Sequence, residues 1–193
     1  MGLFDMFASK AVNQLGNTVK QGVRDAVSNK KEKIVFESLP ESYGQFVNLP
    51  QASMATPFQT AAMAVLAFCF YPKDSELCFG MIDFLRGPRP MNGADRQFIA
   101  DRFREKNYVP RSYFMGANPD NDYQPSSPYT VTVSENPHSY DADGIAKLFI
   151  ASGGADTPRP IQLRKAKDGK WYLWEYSSIL LDVRKPESSN PWA

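Results

Sequence analysis

The sequence predicts an α+β fold: helices in the first half packed on one face of an antiparallel sheet from the second half, preceded by an N-terminal amphipathic helix. Three observations predict it. A capped, wholly apolar helix signal runs from Thr56 to Tyr71, two more helix signals follow it, and after Tyr129 the periodicity becomes that of strands. The 193-residue chain divides into an N-terminal helix over residues 1–33 and a single α+β domain over 34–193. Its composition, 42% hydrophobic and 13% aromatic, can supply a substantial core.

Taken in order, Met1 to about Lys33 reads as one long amphipathic helix. At about 100 degrees per residue, Phe4, Ala8, Val12, Leu15, Val19, Val23 and Ala26 share one arc while Lys10, Asn17, Lys20 and Arg24 fall outside it. Val12 and Val23, like Ala8 and Val19, are separated by eleven residues, which keeps the stripe nearly straight. Gly16 and Gly22 each cost about 1 kcal/mol against Ala, so the helix needs something to cover its face. Three occupants fit. A membrane surface would take Leu3, Phe4 and Phe7 as anchors, a second copy or protein partner would use the small residues for close approach, and the chain's own domain would serve as a dock.

Ile34 to Phe36 reads as a short edge strand, and Ser38-Leu39-Pro40 opens a helical turn carrying Tyr43, Phe46 and Val47. The central helix follows, with Thr56 as N-cap, Pro57 at the first position and Pro72 beyond its end. From Ala61 to Tyr71 its eleven residues are all apolar, so no face wants water, yet the stretch is too short to span a bilayer. Asp74 or Ser75 caps the next helix, which places Leu77, Cys78, Met81, Ile82 and Leu85 on one face and stops at Gly87-Pro88. Asn92 caps a third from about Ala94 to Lys106, burying Phe98, Ile99 and Phe103 beneath a mixed-charge outer face.

Residues 107–128 lose all periodicity but are dense in Tyr, Phe and Pro, the pattern of a long ordered loop lying across the domain. Strands are expected at Tyr129–Val133, Ala146–Ala151, Arg159–Ala166 and Lys170–Tyr176, the last two joined through Asp168-Gly169 as a two-residue type I′ hairpin. That register opposes Leu163 to Trp174 and Ile161 to Tyr176, and puts these four on the helix-facing side. Trp171 and Leu173 then need a cover from Trp192 or the long loop. Ile179, Leu180, Leu181 and Val183 suggest a final strand.

Charge and motif content exclude more chemistry than they suggest. Net charge is +1, with six basic and three acidic residues in 1–33, so the remainder carries no basic excess and no nucleic acid is expected as partner. Cys69 and Cys78, the only cysteines, sit in apolar helical contexts and read as reduced core thiols of a cytoplasmic protein. The lone histidine, His138, lies in a turn-like Asn-Pro-His-Ser-Tyr stretch. No phosphate loop, dinucleotide fingerprint, zinc motif or nucleophile elbow is present, and Asp141-x-Asp143-Gly144 lacks the rest of a calcium loop. No metal and no cofactor is expected. Ser152-Gly153-Gly154-Ala155-Asp156 is the most distinctive local sequence: its glycines permit positive φ, Asp156 can bind backbone amides, and Arg159 can meet a carboxylate. The binding candidates are Arg111, Tyr113, Asp156, Arg159 and Glu175; catalytic residues are unknown.

Several motifs together carry a resemblance. Leu49 to Phe58 (Leu-Pro-Gln-Ala-Ser-Met-Ala-Thr-Pro-Phe), Phe84-Leu85-Arg86-Gly87-Pro88, Tyr108 to Phe114, Ser152 to Asp156 and Asn190-Pro191-Trp192-Ala193 are similar to those of an uncharacterised domain-of-unknown-function family of mainly Gram-positive bacteria, over about residues 34–193. The resemblance implies a bacterial source and no activity. The closing strands also look like those of cone-shaped nuclear-transport-factor-like domains, whose bent sheet and helices enclose a pocket. The sequence therefore favours a non-catalytic intracellular interaction or small-ligand-binding domain, cytoplasmic or at a membrane surface, whose N-terminal helix mediates self-association, partner or membrane contact. The alternative is an enzyme with a pocket between sheet and helices.

Overall fold

The computed structural model describes residues 29–189. The predicted N-terminal helix face of Phe4, Leu15, Val19 and Val23 lies outside them, as does Trp192. Within them the fold is α+β, with four helices and a five-stranded antiparallel sheet. The helices are α1 (Tyr43–Val47), α2 (Pro57–Phe68), α3 (Ser75–Arg86) and α4 (Gly93–Phe103); the strands are β1 (Lys31–Phe36), β2 (Tyr129–Ser134), β3 (Ile145–Ile150), β4 (Arg159–Lys165) and β5 (Trp171–Glu175). Strand order follows the chain, with β1 and β5 at the edges.

Helix α2 is the hub and touches all five strands. Its start is written locally: Thr56 Oγ1 accepts from Gln59 N at 3.3 Å and Gln59 Oε1 accepts from Thr56 N at 3.2 Å, a reciprocal capping box. Gln59 alone in the helix escapes full burial. Met63, Leu66 and Phe68 join Val131, Val133, Leu148, Ile150, Ile161 and Leu163 in one continuous core cluster that fills the space between helix and sheet. Beyond Phe68 the helix tightens into three-residue turns, Phe70 N to Ala67 O and Tyr71 N to Phe68 O, before Pro72. Thr56→Ala should cost about 1 kcal/mol, seen as a lower urea midpoint with an unchanged slope.

Helix α3 starts on Asp74, whose side chain accepts from Leu77 N at 2.9 Å, and stops at Gly87 with φ +55. Helix α4 starts on a second capping box, Asn92 with Asp95, and ends at Phe103 rather than at Lys106, because Glu105 takes a left-handed conformation at φ +61. The first short helix begins at Tyr43 on the Ser42 cap, three residues after Pro40.

Four further expectations need correction. The domain starts before Ile34: Lys31, Glu32 and Lys33 pair with Ser134, Val133 and Thr132, so the end of the segment assigned to the N-terminal helix is sheet. The β4–β5 loop has three residues, not two. Ala166 N donates to Lys170 O at 2.9 Å, and only Gly169 (φ +84) is left-handed, whereas a type I′ turn needs positive φ at Asp168 as well. The pairing on β5 therefore slips by one residue, Leu163 opposes Leu173, and Leu173 rather than Trp174 enters the core. The stretch Ser177–Leu180 is a 3-10 turn, not a strand, although Ile179, Leu180 and Val183 are buried as apolar residues should be.

Tyr176 still reaches the core because of a bulge. Leu163 pairs with Leu173 and Gln162 with Glu175, so Trp174 has no partner across the ladder and the inward parity is restored after it. The backbone of Trp171 is held by the start of the helical half: its N–H donates to Met54 O at 2.9 Å and its carbonyl accepts from Thr60 Oγ1 at 2.6 Å, which closes the outer edge of β5 there. The long loop lies across the domain as expected, with Val109, Tyr113, Phe114, Ala117 and Tyr123 buried.

Candidate functional site

The loop length and the bulge together decide where Trp174 points. Freed from the ladder, its half-buried ring lies against the guanidinium groups of Arg89 and Arg164, each with Cζ 4.6 Å from the ring centroid. Arg164 comes from β4; Arg89 comes from the turn after α3. That turn is held in place by Arg86, which is 5% exposed, donates from Nε to Arg89 O at 2.9 Å and reaches Asp95 Oδ2 at 3.4 Å. Arg86 also stands 5.6 Å from the centroid of Tyr176, whose phenol burial pushes up to about 12 against the lowering influence of that guanidinium. Gly87 brings the turn close: a Cβ there would lie 2.1 Å from Tyr172 Cε1.

Two recesses flank Trp174. One, of about 180 Å³, is walled by Arg86, Arg89, Arg164 and Lys165 with Tyr172 and Leu173. The other, of about 260 Å³, shares Arg86, Arg89 and Trp174 and adds Asp95, Glu175 and Tyr176. Among the described residues neither the Arg89 nor the Arg164 guanidinium has a carboxylate or hydrogen-bond partner. Two exposed cations held in place by a ring, with their N–H edges unpaired, suit an anion: guanidinium matches carboxylate and phosphate oxygens in a two-point fork.

The structure does not gather the five sequence-derived candidates into one site: three contact the segment after β5, and the other two line different recesses. Tyr113 is buried and donates from Oη to Ile179 O at 2.9 Å; burial raises its phenol well above the usual range. Arg159 donates from Nη2 to Asp182 O at 2.9 Å, a backbone carbonyl rather than a carboxylate, and its Nε is buried without a partner. Asp156 is exposed and pairs with Arg184 at 3.4 Å instead of binding backbone amides. These three meet one segment, residues 179–184, and hold it against the domain. Glu175 lines the larger Trp174 recess, and its Oε1 accepts from Ser177 N at 2.7 Å. Arg111 stands apart at a different recess, beside Cys69.

The Gly153-Gly154 pair serves close approach and not positive φ, which neither residue adopts. Gly153 N donates to Ser112 O at 2.8 Å, and a Cβ on Gly153 would sit 1.9 Å from Ala117 O. Asn118 and Asn121 form a reciprocal cap on a 3-10 turn, and His138 is an exposed turn residue with Nδ1 2.9 Å from Asp141 Oδ2.

Thiol chemistry is suppressed. Desolvation pushes the Cys69 thiol up to about 12 and raises Cys78 further above the ordinary range. A disulfide reagent at pH 8 should therefore label neither cysteine in the folded protein and both in denaturant. Among the described residues no group of three or more His, Cys, Asp or Glu gathers for a metal, and no helix is long and apolar enough to cross a membrane.

Sequence reasoning passed over Arg89, Arg164 and Trp174. Arg86-Gly87-Pro88-Arg89 was visible as a helix stop, but its meeting with β4 and β5 depends on a register that local pattern did not decide. The model of a family described as a domain of unknown function (DUF6935) matches residues 38–187, which leaves β1 just outside the matched stretch. No curated protein and no solved structure matches the chain.

Proposed function

The chain belongs to this family of domains of unknown function, and from that premise we propose a non-catalytic small-ligand-binding and interaction domain whose arginine-clamped Trp174 receives an anionic group. One observation carries the reading: the bulged tryptophan fixes two guanidinium groups that have no acidic partner among the described residues. Both guanidinium groups lie against the indole ring, which leaves their N–H edges to take the ligand as an anion. The packed cluster between α2 and the sheet supports this reading over that of an enzyme with a pocket in that place. The protein works in the cytoplasm of a bacterial cell, where its two thiols stay reduced. The segment before β1, residues 1–28, adds association with a second copy, a protein partner or a membrane surface.

Calorimetric titration of the full chain with inorganic pyrophosphate and with citrate tests the site. The expected result is saturable binding of at least one of them, weakened at least tenfold in Arg89→Ala/Arg164→Ala and relieved by salt. No heat from either anion, or equal binding by the double variant, overturns it. Light scattering tests the N-terminal segment, comparing the full chain with Leu15→Asp/Val19→Asp, each with and without anionic vesicles. An oligomer or a vesicle complex lost in the variant supports association; a monomer indifferent to vesicles in both forms ends that reading. Any shortened chain should begin at Asn29, because starting at Ile34 removes half of β1.

A further inference from the structure

A third recess, of about 330 Å³, opens where the chain leaving α2 meets the long loop, with Leu39, Cys69, Pro72, Phe114 and Pro125 as apolar walls. Its size falls in the range of small-molecule sites, and its walls are mostly hydrophobic, as such sites require. Its polar lining is Asn107 and two cations: Lys73, just past Pro72, and Arg111, in the 3-10 turn Pro110–Tyr113. Both are exposed, and among the described residues neither side chain has an ion-pair or hydrogen-bond partner. Arg111 lies close enough for its positive charge to act on the Cys69 thiol, so that charge is felt inside the recess. The thiol stays neutral at physiological pH and offers no counter-charge.

The end of α2 does not supply one either. Its last carbonyls are occupied, Ala67 O by Phe70 N and Phe68 O by Tyr71 N. Apolar walls therefore meet two unmatched cations with no acidic side chain in the lining. A neutral apolar ligand would leave both cations unused, and a small inorganic anion would leave the apolar walls wet. Only a molecule that is both apolar and anionic satisfies the whole surface.

We propose that this recess binds a single-chain aliphatic acid, with its alkyl chain against Leu39, Phe114 and Pro125 and its carboxylate between Lys73 and Arg111. The site shares no residue with the Trp174 clamp, so the two readings stand or fall separately. Guanidinium takes the carboxylate through two N–H groups, and Lys73 adds a point charge.

The test is calorimetry on the full chain with decanoate below its micelle concentration, and with acetate and 1-decanol as comparators. Decanoate should bind saturably at one site, acetate should give no heat, and decanol should bind at least tenfold more weakly. Lys73→Ala/Arg111→Ala changes two exposed side chains and should keep the wild-type melting curve while weakening decanoate at least tenfold. Leu39→Trp, which puts a bulkier side chain into the lining, should abolish binding. Arg89→Ala/Arg164→Ala should bind decanoate as the wild type does. The proposal is overturned by an absence of saturable decanoate binding, by equal affinity in the Lys73/Arg111 double variant, or by decanol binding as tightly as decanoate. Binding to phosphatidylglycerol vesicles without binding to free decanoate would overturn it too, assigning the surface to a membrane.

Discussion

Gly153→Ala is expected to destabilise the protein by on the order of 3 kcal/mol, a melting-temperature loss of roughly 6–12 °C for a domain of this size. The added Cβ would lie 1.9 Å from Ala117 O and 3.0 Å from Ala117 C, both backbone atoms that cannot rotate away. Relief requires moving a loop fixed by Gly153 N on Ser112 O and by the 2.8 Å contact between the Ser112 and Ser152 hydroxyls. Gly154→Ala is the informative comparison, because its nearest obstacle is the Tyr123 hydroxyl, at 2.1 Å. Tyr123→Phe in the Gly154→Ala background should recover part of the loss; the same change in Gly153→Ala should recover nothing. Thermal melts of the four variants by circular dichroism measure this. A Gly153→Ala midpoint within 2 °C of wild type, to use a threshold of about 1 kcal/mol, would show that the loops yield freely.

Phe68→Ala should cost about 3–5 kcal/mol by urea unfolding, the range for a buried aromatic truncated to a methyl. Phe68 is 1% exposed at the end of α2, with ring centroids 6.1 Å from Phe103 and 5.5 Å from Tyr176. It therefore joins α2, α4 and the segment after β5, and the cavity cannot collapse without moving one of them. Phe98→Ala is the control, since its ring sits on the half-buried side of α4 under Arg102. A loss below about 1 kcal/mol is expected there, and equal losses at the two positions would contradict the assignment of α2 as hub.

Much of the helical half was legible because its signals are short-ranged. The Thr56, Asp74 and Asn92 caps all form where the sequence puts them, since a capping side chain meets backbone amides only two or three residues away. The all-apolar run after Ala61 likewise admits only a buried helix. The sheet half was legible in content but not in register. Asp168-Gly169 marked a turn correctly, but two-residue and three-residue loops carry the same pair, and each puts a different face of β5 inward.

That one-residue difference governed the candidate site. Among the sequence-derived candidates, Tyr113, Asp156 and Arg159 contact residues 179–184, because a polar group in a loop gives the same local signal whether its partner is a ligand or another part of the chain. By itself the sequence determined the α+β class, the central helix with its caps, and the lack of familiar catalytic motifs, all of which rest on neighbours a few residues apart. Only the tertiary structure decided that Leu173 enters the core, that Trp174 is expelled by a bulge, and that Arg89 and Arg164 both close on its ring. Those outcomes follow from which strand register buries most apolar surface against α2, a comparison that no local stretch of sequence contains.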